Sequence, residues 1–501
     1  MHTLHSPREA ARWLQQRVTG SLTCDSRKVK PGDGFIAWPG AVVDGRKFVA
    51  DAHRQGAVAC LVEENGSSNF GLDEDYTAAY SGLKTAAGAI AAEFFDRPSR
   101  ELALVAVTGT NGKTSTAWWL AQALTALPAA MALPCGVIGT LGVGRPGQVY
   151  ATGLTTPDPV LLQGTLRAFV RDGLRACAIE ASSIGLQERR LDGMEARVAI
   201  FTNLTQDHLD YHGSMEDYWL AKRTLFAWPG LVAAVVNVDD GHGEKLAQDL
   251  AQTALDLWTT SCQRPARLQA CNTVYDRQGL AFDVVEQGGA IVRLQSRMIG
   301  SYNVSNLLGV LAAMRALGVP LDAAVVACSA LQPVPGRMEC FGEPGQPLVA
   351  VDYAHTPDAL SQVLTALQPL VQARAGKLWC VFGCGGDRDT SKRPLMGAIA
   401  AQKADQVVVT SDNPRSEKPE AIIAQILLGI SRSPCVSVEP DRAQAILHAI
   451  AHAASNDVIL LAGKGHEETQ EVAGDKRPFS DRLHAQNALA SRLATGMGVP
   501  A

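Results

Sequence analysis

Leu102–Ser115 reads LALVAVTGTNGKTS: an apolar run, a glycine turn and a lysine–threonine pair. The run Leu102–Val107 has the continuous hydrophobicity of a strand buried on both faces. Thr108–Ser115 then opens a helix, so backbone N–H groups and a helix N-terminus meet where they can cradle phosphates. Lys113 would neutralise the terminal phosphates and the Thr114 hydroxyl would bind magnesium. Only Thr110 and Asn111 separate Gly109 from Gly112, against four residues in the full Walker pattern. A ligand-free helix-entry turn would look similar, but the flanking strand and the Lys–Thr pair favour phosphate binding.

Working outward, the chain alternates strand and helix, which makes it α/β. Upstream, apolar runs at Gly34–Trp38 and Ala57–Val62 flank the turn-rich PGAVVDGRKF, and a helical pattern from Ser81 leads to the Leu102 strand. Downstream strands are expected at Ala176–Glu180, Val198–Asn203 and Leu231–Val238 in a mainly parallel sheet. The proline-rich LQPVPGRME around Pro333–Arg337 reads as a linker. Beyond it, strands at Leu348–Tyr353, Leu378–Gly383, Gln406–Ser411 and Val458–Ala462 run into DYAHTP, GCGGDRD, SDNPRSEKP and GKGHEE. Ligands of open α/β sheets bind beyond the carboxyl ends of strands, so these four segments are expected to converge.

With 501 residues, the chain exceeds one ordinary core and suggests three domains at roughly 100–200 residues each. The composition, 47% hydrophobic and 19% charged, is that of a globular enzyme. A net charge of -5 gives no basic field to attract nucleic acid. Eleven cysteines without a C-x-x-C spacing argue against a disulfide framework or structural zinc and fit a reducing cytosol. The uncharged run Ser115–Gly144 is broken by Pro128, Pro134 and glycines, so no membrane span is expected.

Glu180, ending the strand CAIE, and His208, in TNLTQDHLDYHG, are candidate magnesium ligands, although polar caps at strand ends share this placement. Lys222 lies in YWLAKRTLF, where spacing alone suggests a surface lysine. Asp352, His355 and the Arg337–Glu339 pair frame the last domain. Arg337 would be a mobile charge clamp on phosphates, or part of an interdomain salt-bridge set. In DNPR, Pro414 stiffens a loop beside Asp412, Asn413 offers donor and acceptor, and Arg415 presents a fork suited to a carboxylate. Arg388 in GDRD offers a second fork, and Glu467, after Gly463 in GKGHE, an ammonium partner. A zwitterionic amino acid matches this set; solvent-facing turns would share the composition.

In order along nearly the whole chain, these segments resemble the Mur ligase family. The resemblance rests on DSR at Asp25–Arg27, TGTNGKT, TTPD at Thr155–Asp158, EASS at Glu180–Ser183, TNLTQDHLDYHG, the AK of Lys222 and YNVSN at Tyr302–Asn306. It continues through GRME, DYAHTP, GCGGDRD, DNPR and GKGHE.

The resemblance implies a small N-terminal α/β domain for a UDP-sugar (1–81), a central P-loop-type ATPase domain (82–333) and a C-terminal Rossmann-like amino-acid domain (334–501). It implies an ATP-dependent ligase of peptidoglycan synthesis that works through acyl-phosphate and tetrahedral intermediates. DNPR marks its meso-2,6-diaminopimelate-adding members, which extend UDP-N-acetylmuramoyl-L-alanyl-D-glutamate, rather than those adding L-lysine. By the same matching, Thr114, Glu180, His208 and a Lys222 carbamylated by carbon dioxide hold Mg2+. Gly109–Ser115, that is Gly109, Thr110, Asn111, Gly112, Lys113, Thr114 and Ser115, contact ATP together with Asn303, Arg337 and Asp352. Ser26 and Ala41–Val43 lie near uridine; Thr155, Thr156, Ser182, Glu188 and Arg190 line the sugar-peptide path. His355, Arg388, Asp412, Asn413, Pro414, Arg415, Gly463 and Glu467 meet the amino acid. The chain departs from the family at Glu188, where Gln is common, and in its apolar uridine loop. A cytoplasmic monomer is expected. The other readings are an L-lysine-adding relative, a folylpolyglutamate synthase, and a catalytically silent nucleotide-gated interaction protein.

Overall fold

A computed structural model describes residues 2–40, 43–276, 279–289, 291–431 and 435–494. The first sheet holds five parallel strands in the order His2–Leu4, Thr77–Tyr80, Ala59–Glu63, Gly34–Ala37 and Leu22–Thr23. Alternation of side chains along each strand divides its core in two. Ile36, Leu61 and Ala78 pack with Leu14, Leu83 and Ile90 of the helices Pro7–Gln15 and Leu83–Phe94. Phe35, Ala37, Cys60 and Val62 pack on the other face with Val49 and Ala52.

The second sheet has eleven strands, with Ala103–Thr108 paired in parallel between Ala176–Glu180 and Val198–Phe201. The same alternation sends Val105 and Val107 toward the helices Lys113–Thr125 and Tyr302–Ala316, and Leu104 and Ala106 toward Leu162, Leu166 and Phe169. Helix Tyr302–Ala316 is covered on nearly all sides, burying Leu307, Leu308, Val310 and Leu311. Truncating Leu311 to Ala would cost about 2–5 kcal/mol. This packing fixes the helix whose first turn, at Asn303 and Asn306, abuts the phosphate loop.

Strand positions read from the sequence agree to within a residue or two: Ala103–Thr108 begins one residue after the expected Leu102, and Gln406–Val409 stops short of Ser411. The mainly parallel central sheet carries antiparallel edges that the sequence reading did not anticipate. These are Leu268–Asp276, Gly279–Glu286 and Ile291–Ser296 on one side, and Gly142–Arg145 with Gln148–Tyr150 on the other. The uncharged run is a helix and a strand, Cys135–Gly139, and among the described residues no helix is long and apolar enough to cross a membrane.

The third sheet has six strands, ordered Glu339–Phe341, Leu348–Asp352, Val458–Ala462, Leu378–Phe382, Gln406–Val409 and Val436–Val438. Only the first is antiparallel to its neighbour. The carboxyl ends of its central strands carry DYAHTP, GKGHE and GCGGDRD on one edge of the sheet.

Candidate active site

Two glycines shape the phosphate loop because neither tolerates a side chain. Gly109 has φ +142° and a Cβ there would lie 1.9 Å from Thr202 Oγ1; Gly112 has φ +85° and would strike Asn306 Oδ1 at 2.3 Å. The loop is pinned to the neighbouring strand end: Asn111 N–H donates to Asn203 Oδ1 (2.9 Å) and Thr202 Oγ1 donates to Asn111 O (2.6 Å). The Thr110 hydroxyl lies 3.1 Å from the Tyr218 hydroxyl. Asn303 spends both ends of its amide internally, donating to Ile299 O and accepting from Asn306 Nδ2. It therefore orders the helix start beside the loop.

A cleft of about 760 Å³ is lined by Thr110–Ser115, Thr155, Glu180, Ser182, His208, Lys222 and Asn303 from the central part, and by Arg337, Asp352 and His355 from the last part. Glu180 is buried beside the loop, where Gly139 leaves room for it. It accepts hydrogen bonds from Thr114 Oγ1 (2.9 Å), Thr140 N–H (2.8 Å) and Thr140 Oγ1 (3.1 Å). Arg337 Nη2 reaches across the cleft to Thr114 Oγ1 (3.3 Å), and its guanidinium covers the Tyr353 ring at 4.4 Å. Among the described residues Arg337 has no carboxylate within salt-bridge distance, and Glu339 pairs with Arg482.

Two amines converge on one carbonyl. Lys113 Nζ donates to Gly109 O (2.9 Å) and Thr110 O (2.8 Å), while Lys222 Nζ donates to the same Gly109 O (2.7 Å) from a fully buried side chain. Burial lowers both, and the Lys113 charge drives Lys222 further down. The surface lysine of the sequence reading is thus an interior amine favoured in its neutral form. Burial lowers His208 to about 4 against the pull of Asp207, leaving a neutral imidazole of the kind that ligates metals. Asp352 is pushed up by burial although it sits near Arg337, and it accepts from Met338 N–H and Ala354 N–H. It braces the turn that aims Arg337.

The second cluster lies behind Tyr353 and does not line the cleft. Arg415 Nη1 donates to Gly386 O (2.7 Å), and its Nε lies 3.9 Å from Glu471. Its side chain is only 26% exposed, so the guanidinium is folded onto the protein rather than extended into solvent. Asn413 Nδ2 donates to Glu467 Oε2 (2.7 Å); Asp412 is buried, and Gly463, at φ +117°, passes so close that a Cβ would meet its carboxylate at 2.3 Å. Pro414 O lies against Gly386, where a Cβ would be 1.9 Å away. Arg388 is half exposed and 3.7 Å from Asp210, bridging to the central part. His466, quoted in GKGHE but assigned no role, joins the two clusters: its ring stacks obliquely on Tyr353 at 5.4 Å beside the Thr140 backbone.

The peptide-path residues divide. Thr155 Oγ1 lies 3.1 Å from Thr140 Oγ1, Thr156 Oγ1 donates to Glu180 O and contacts Ser182 Oγ, and Arg190 Nη1 donates to Thr156 O. Glu188 stands aside, bound to Lys84 Nζ (2.7 Å) and the Tyr211 hydroxyl (2.6 Å). Ser26 and Val43 share a separate depression of about 790 Å³ with Asp25, Arg27 and Phe35. Ala41 and Val42 lie outside the described residues. Sequence reasoning also missed Thr140 and Asp207: Thr140 belongs to none of the quoted motifs, and Asp207 was hidden beside His208.

Family comparison covers the segments that carry these residues. The Mur ligase middle domain matches residues 107–314, the Mur ligase glutamate ligase domain 336–465, and the Mur ligase family catalytic domain 19–94. The UDP-N-acetylmuramoyl-L-alanyl-D-glutamate--2,6-diaminopimelate ligase of Acidovorax sp. (strain JS42) is 60% identical, covering 98% of this chain and 99% of its own. The ligase of the same name from Ralstonia nicotianae is 48% identical over 96% and 95%. A solved ligase of that name superposes with a TM-score of 0.63 at 34% identity, covering 94% and 95%. MurF from Acinetobacter baumannii, at 17% identity, shares the fold with a TM-score of 0.68 over 97% and 98%. The chain belongs to the Mur ligase family.

Proposed function

We infer that the chain is an ATP-dependent ligase that adds meso-2,6-diaminopimelate to UDP-N-acetylmuramoyl-L-alanyl-D-glutamate during peptidoglycan precursor synthesis. The observation that carries this reading is the Arg337–Thr114–Glu180 link, in which the segment entering the last sheet reaches the mouth of the phosphate loop. A carboxylate is a poor electrophile, so the γ-phosphoryl group of ATP is transferred to it and phosphate then leaves as the amine attacks. Lys113 and the loop N–H groups hold the triphosphate, and Arg337 meets the charge that develops on the transferring group. The wide reach of the cleft, from the loop to His355, lets both substrates lie in attack geometry.

Mg2+, when bound, neutralises phosphate charge; Thr114, Glu180 and His208 would hold it. Among the described residues no three His, Cys, Asp or Glu side chains converge as a metal group. That suits an ion bound by one or two carboxylates together with substrate phosphates. A further anion at Lys222 would complete the set. Its neutral amine can add to carbon dioxide, forming an N–C bond and releasing a proton, and the resulting carbamate reverses the local charge. Ser26 and the depression around it would take the uridine, and Thr155, Thr156, Ser182 and Arg190 the peptide. The paired arginines Arg388 and Arg415 support diaminopimelate over L-lysine, which lacks a second carboxylate and would leave a guanidinium unmatched. The domain limits 1–81, 82–333 and 334–501, a cytoplasmic location and a monomeric state complete the reading.

The test is phosphate release with ATP, Mg2+ and the UDP-dipeptide, comparing meso-diaminopimelate with L-lysine. Release with diaminopimelate alone is expected. Equal rates would overturn the specificity, and no release with either would favour a silent nucleotide-gated protein.

A further inference from the structure

We propose that Lys464 is a positioning residue for the amino-acid pocket, fixing which ammonium the pocket recognises. This rests on the diaminopimelate reading above and extends it to a side chain with no assigned role.

Lys464 is fully buried, although it sits in a loop at a strand end. Its neighbours impose that direction. Gly463 and Gly465 both have positive φ, at +117° and +53°, and a Cβ on Gly465 would lie 2.7 Å from Gly336 O. The backbone therefore turns twice within three residues and drives the lysine inward. There its ammonium donates to Asn413 Oδ1 (3.0 Å) and Glu467 Oε2 (2.9 Å).

Those two contacts decide an orientation. Asn413 Oδ1 also accepts from Glu471 N–H (3.0 Å), so two donors hold the amide oxygen on one side. The amide nitrogen must then face Glu467, to which it donates at 2.7 Å. An apolar side chain at 464 would remove one of the donors that forbid the amide flip. It would also leave Glu467 Oε2 with the amide alone. Asn413 is in this light a strut rather than a direct ligand, and Lys464 is what locks it. Among the described residues only Oε2 of Glu467 is engaged, and its side chain is 28% exposed, so it can take one ligand ammonium. Because Glu467, Asn413 and Arg415 do not line the cleft that holds Lys113 and Thr114, that ammonium belongs to the unreactive end of the ligand.

The readout is discrimination between meso-diaminopimelate and L-2-aminopimelate, which lacks the distal amine. In Lys464→Met the ratio of their kcat/KM values is expected to fall at least about tenfold, the worth of a hydrogen bond to a charged group. The loss should appear as a raised KM for meso-diaminopimelate, with the KM for ATP within about twofold. Lys464→Gln, which keeps an N–H donor, should retain part of the ratio and serves if the Met variant does not fold. Glu467→Gln should lower the ratio, and the Lys464→Met/Glu467→Gln pair should lower it no further, because both act on one contact. An unchanged ratio in both Lys464 variants, or additive losses in the pair, would overturn the proposal. Failure of the wild-type chain to use meso-diaminopimelate would instead overturn the underlying reading.

Discussion

The phosphate-loop cluster and the DNPR cluster both bury basic side chains, but they balance them differently. Around the loop, Lys113 and Lys222 crowd one backbone carbonyl, and among the described residues neither forms an ion pair. Around DNPR, every buried cation is matched: Lys464 with Glu467, Arg393 with Glu417, and Arg442 with Asp481. In the first, burial disfavours the charged form of both lysines, and a bound phosphate would favour it again. In the second, the fully buried cations already have carboxylate partners and hold loop shape.

Substitutions should expose this contrast. Lys113→Met is expected to lower kcat on the order of a thousandfold, the scale of losing a donor aimed at transition-state charge. It should leave stability unchanged or slightly raised, because an unpaired ammonium is removed. Single-turnover phosphate release and urea unfolding measure the two effects, and a loss of activity below about tenfold would sink the assignment. Arg442→Met should do the reverse. Arg442 bridges Asp481, Ser411 O and Ala462 O, joining the strand ends before DNPR and GKGHE. Leaving Asp481 buried and unpaired should cost about 3–5 kcal/mol in the transition of the last sheet.

The link between the clusters is sensitive to pH. Burial first, and then the Arg337 charge, lower His466 to about 3, and among the described residues its buried Nδ1 has no hydrogen-bond partner. Between about 3 and the ordinary 6.5 the unfolded chain binds this proton and the folded chain does not. Stability therefore falls as pH drops from 6.5, by up to about 1.4 kcal/mol per unit. Thermal unfolding between pH 6.5 and 5 should show a shallower fall in His466→Asn; parallel curves would remove His466 from the linkage.

Much of the fold was legible because its strands are continuous apolar runs ending in glycine turns, as Ala103–Thr108 and Val458–Ala462 illustrate. The antiparallel edge at Gly279–Glu286 was not, since half-exposed hairpins give a weaker pattern, although the glycine turn before Ile291 was a usable signal. Within the site, residues embedded in dense motifs, such as Lys113 and Glu180, could be singled out from the sequence, and both line the cleft. Lys222 could not be placed from spacing, because burial of a lysine on a short helix depends on the sheet it meets. Lys464 and His466 were passed over for a related reason: their roles lie in contacts with residues over fifty positions and over a hundred positions away, respectively.

The smallest effect is expected at Glu188, which lies outside both clusters. Its carboxylate is held low by Lys84 and then by the Tyr211 hydroxyl, while burial and Glu188 raise Tyr211 to about 12. Both partners are exposed, so exchanging the carboxylate for an amide loses a surface ion pair worth about 0–1 kcal/mol. Glu188→Gln keeps a carbonyl acceptor for Tyr211 and removes an anion from the approach of an anionic substrate. The KM for the UDP-dipeptide should therefore stay within about threefold, or fall slightly. A rise beyond tenfold would place Glu188 on the substrate itself, and the peptide path would then have to extend from Thr156 and Arg190 outward to Tyr211.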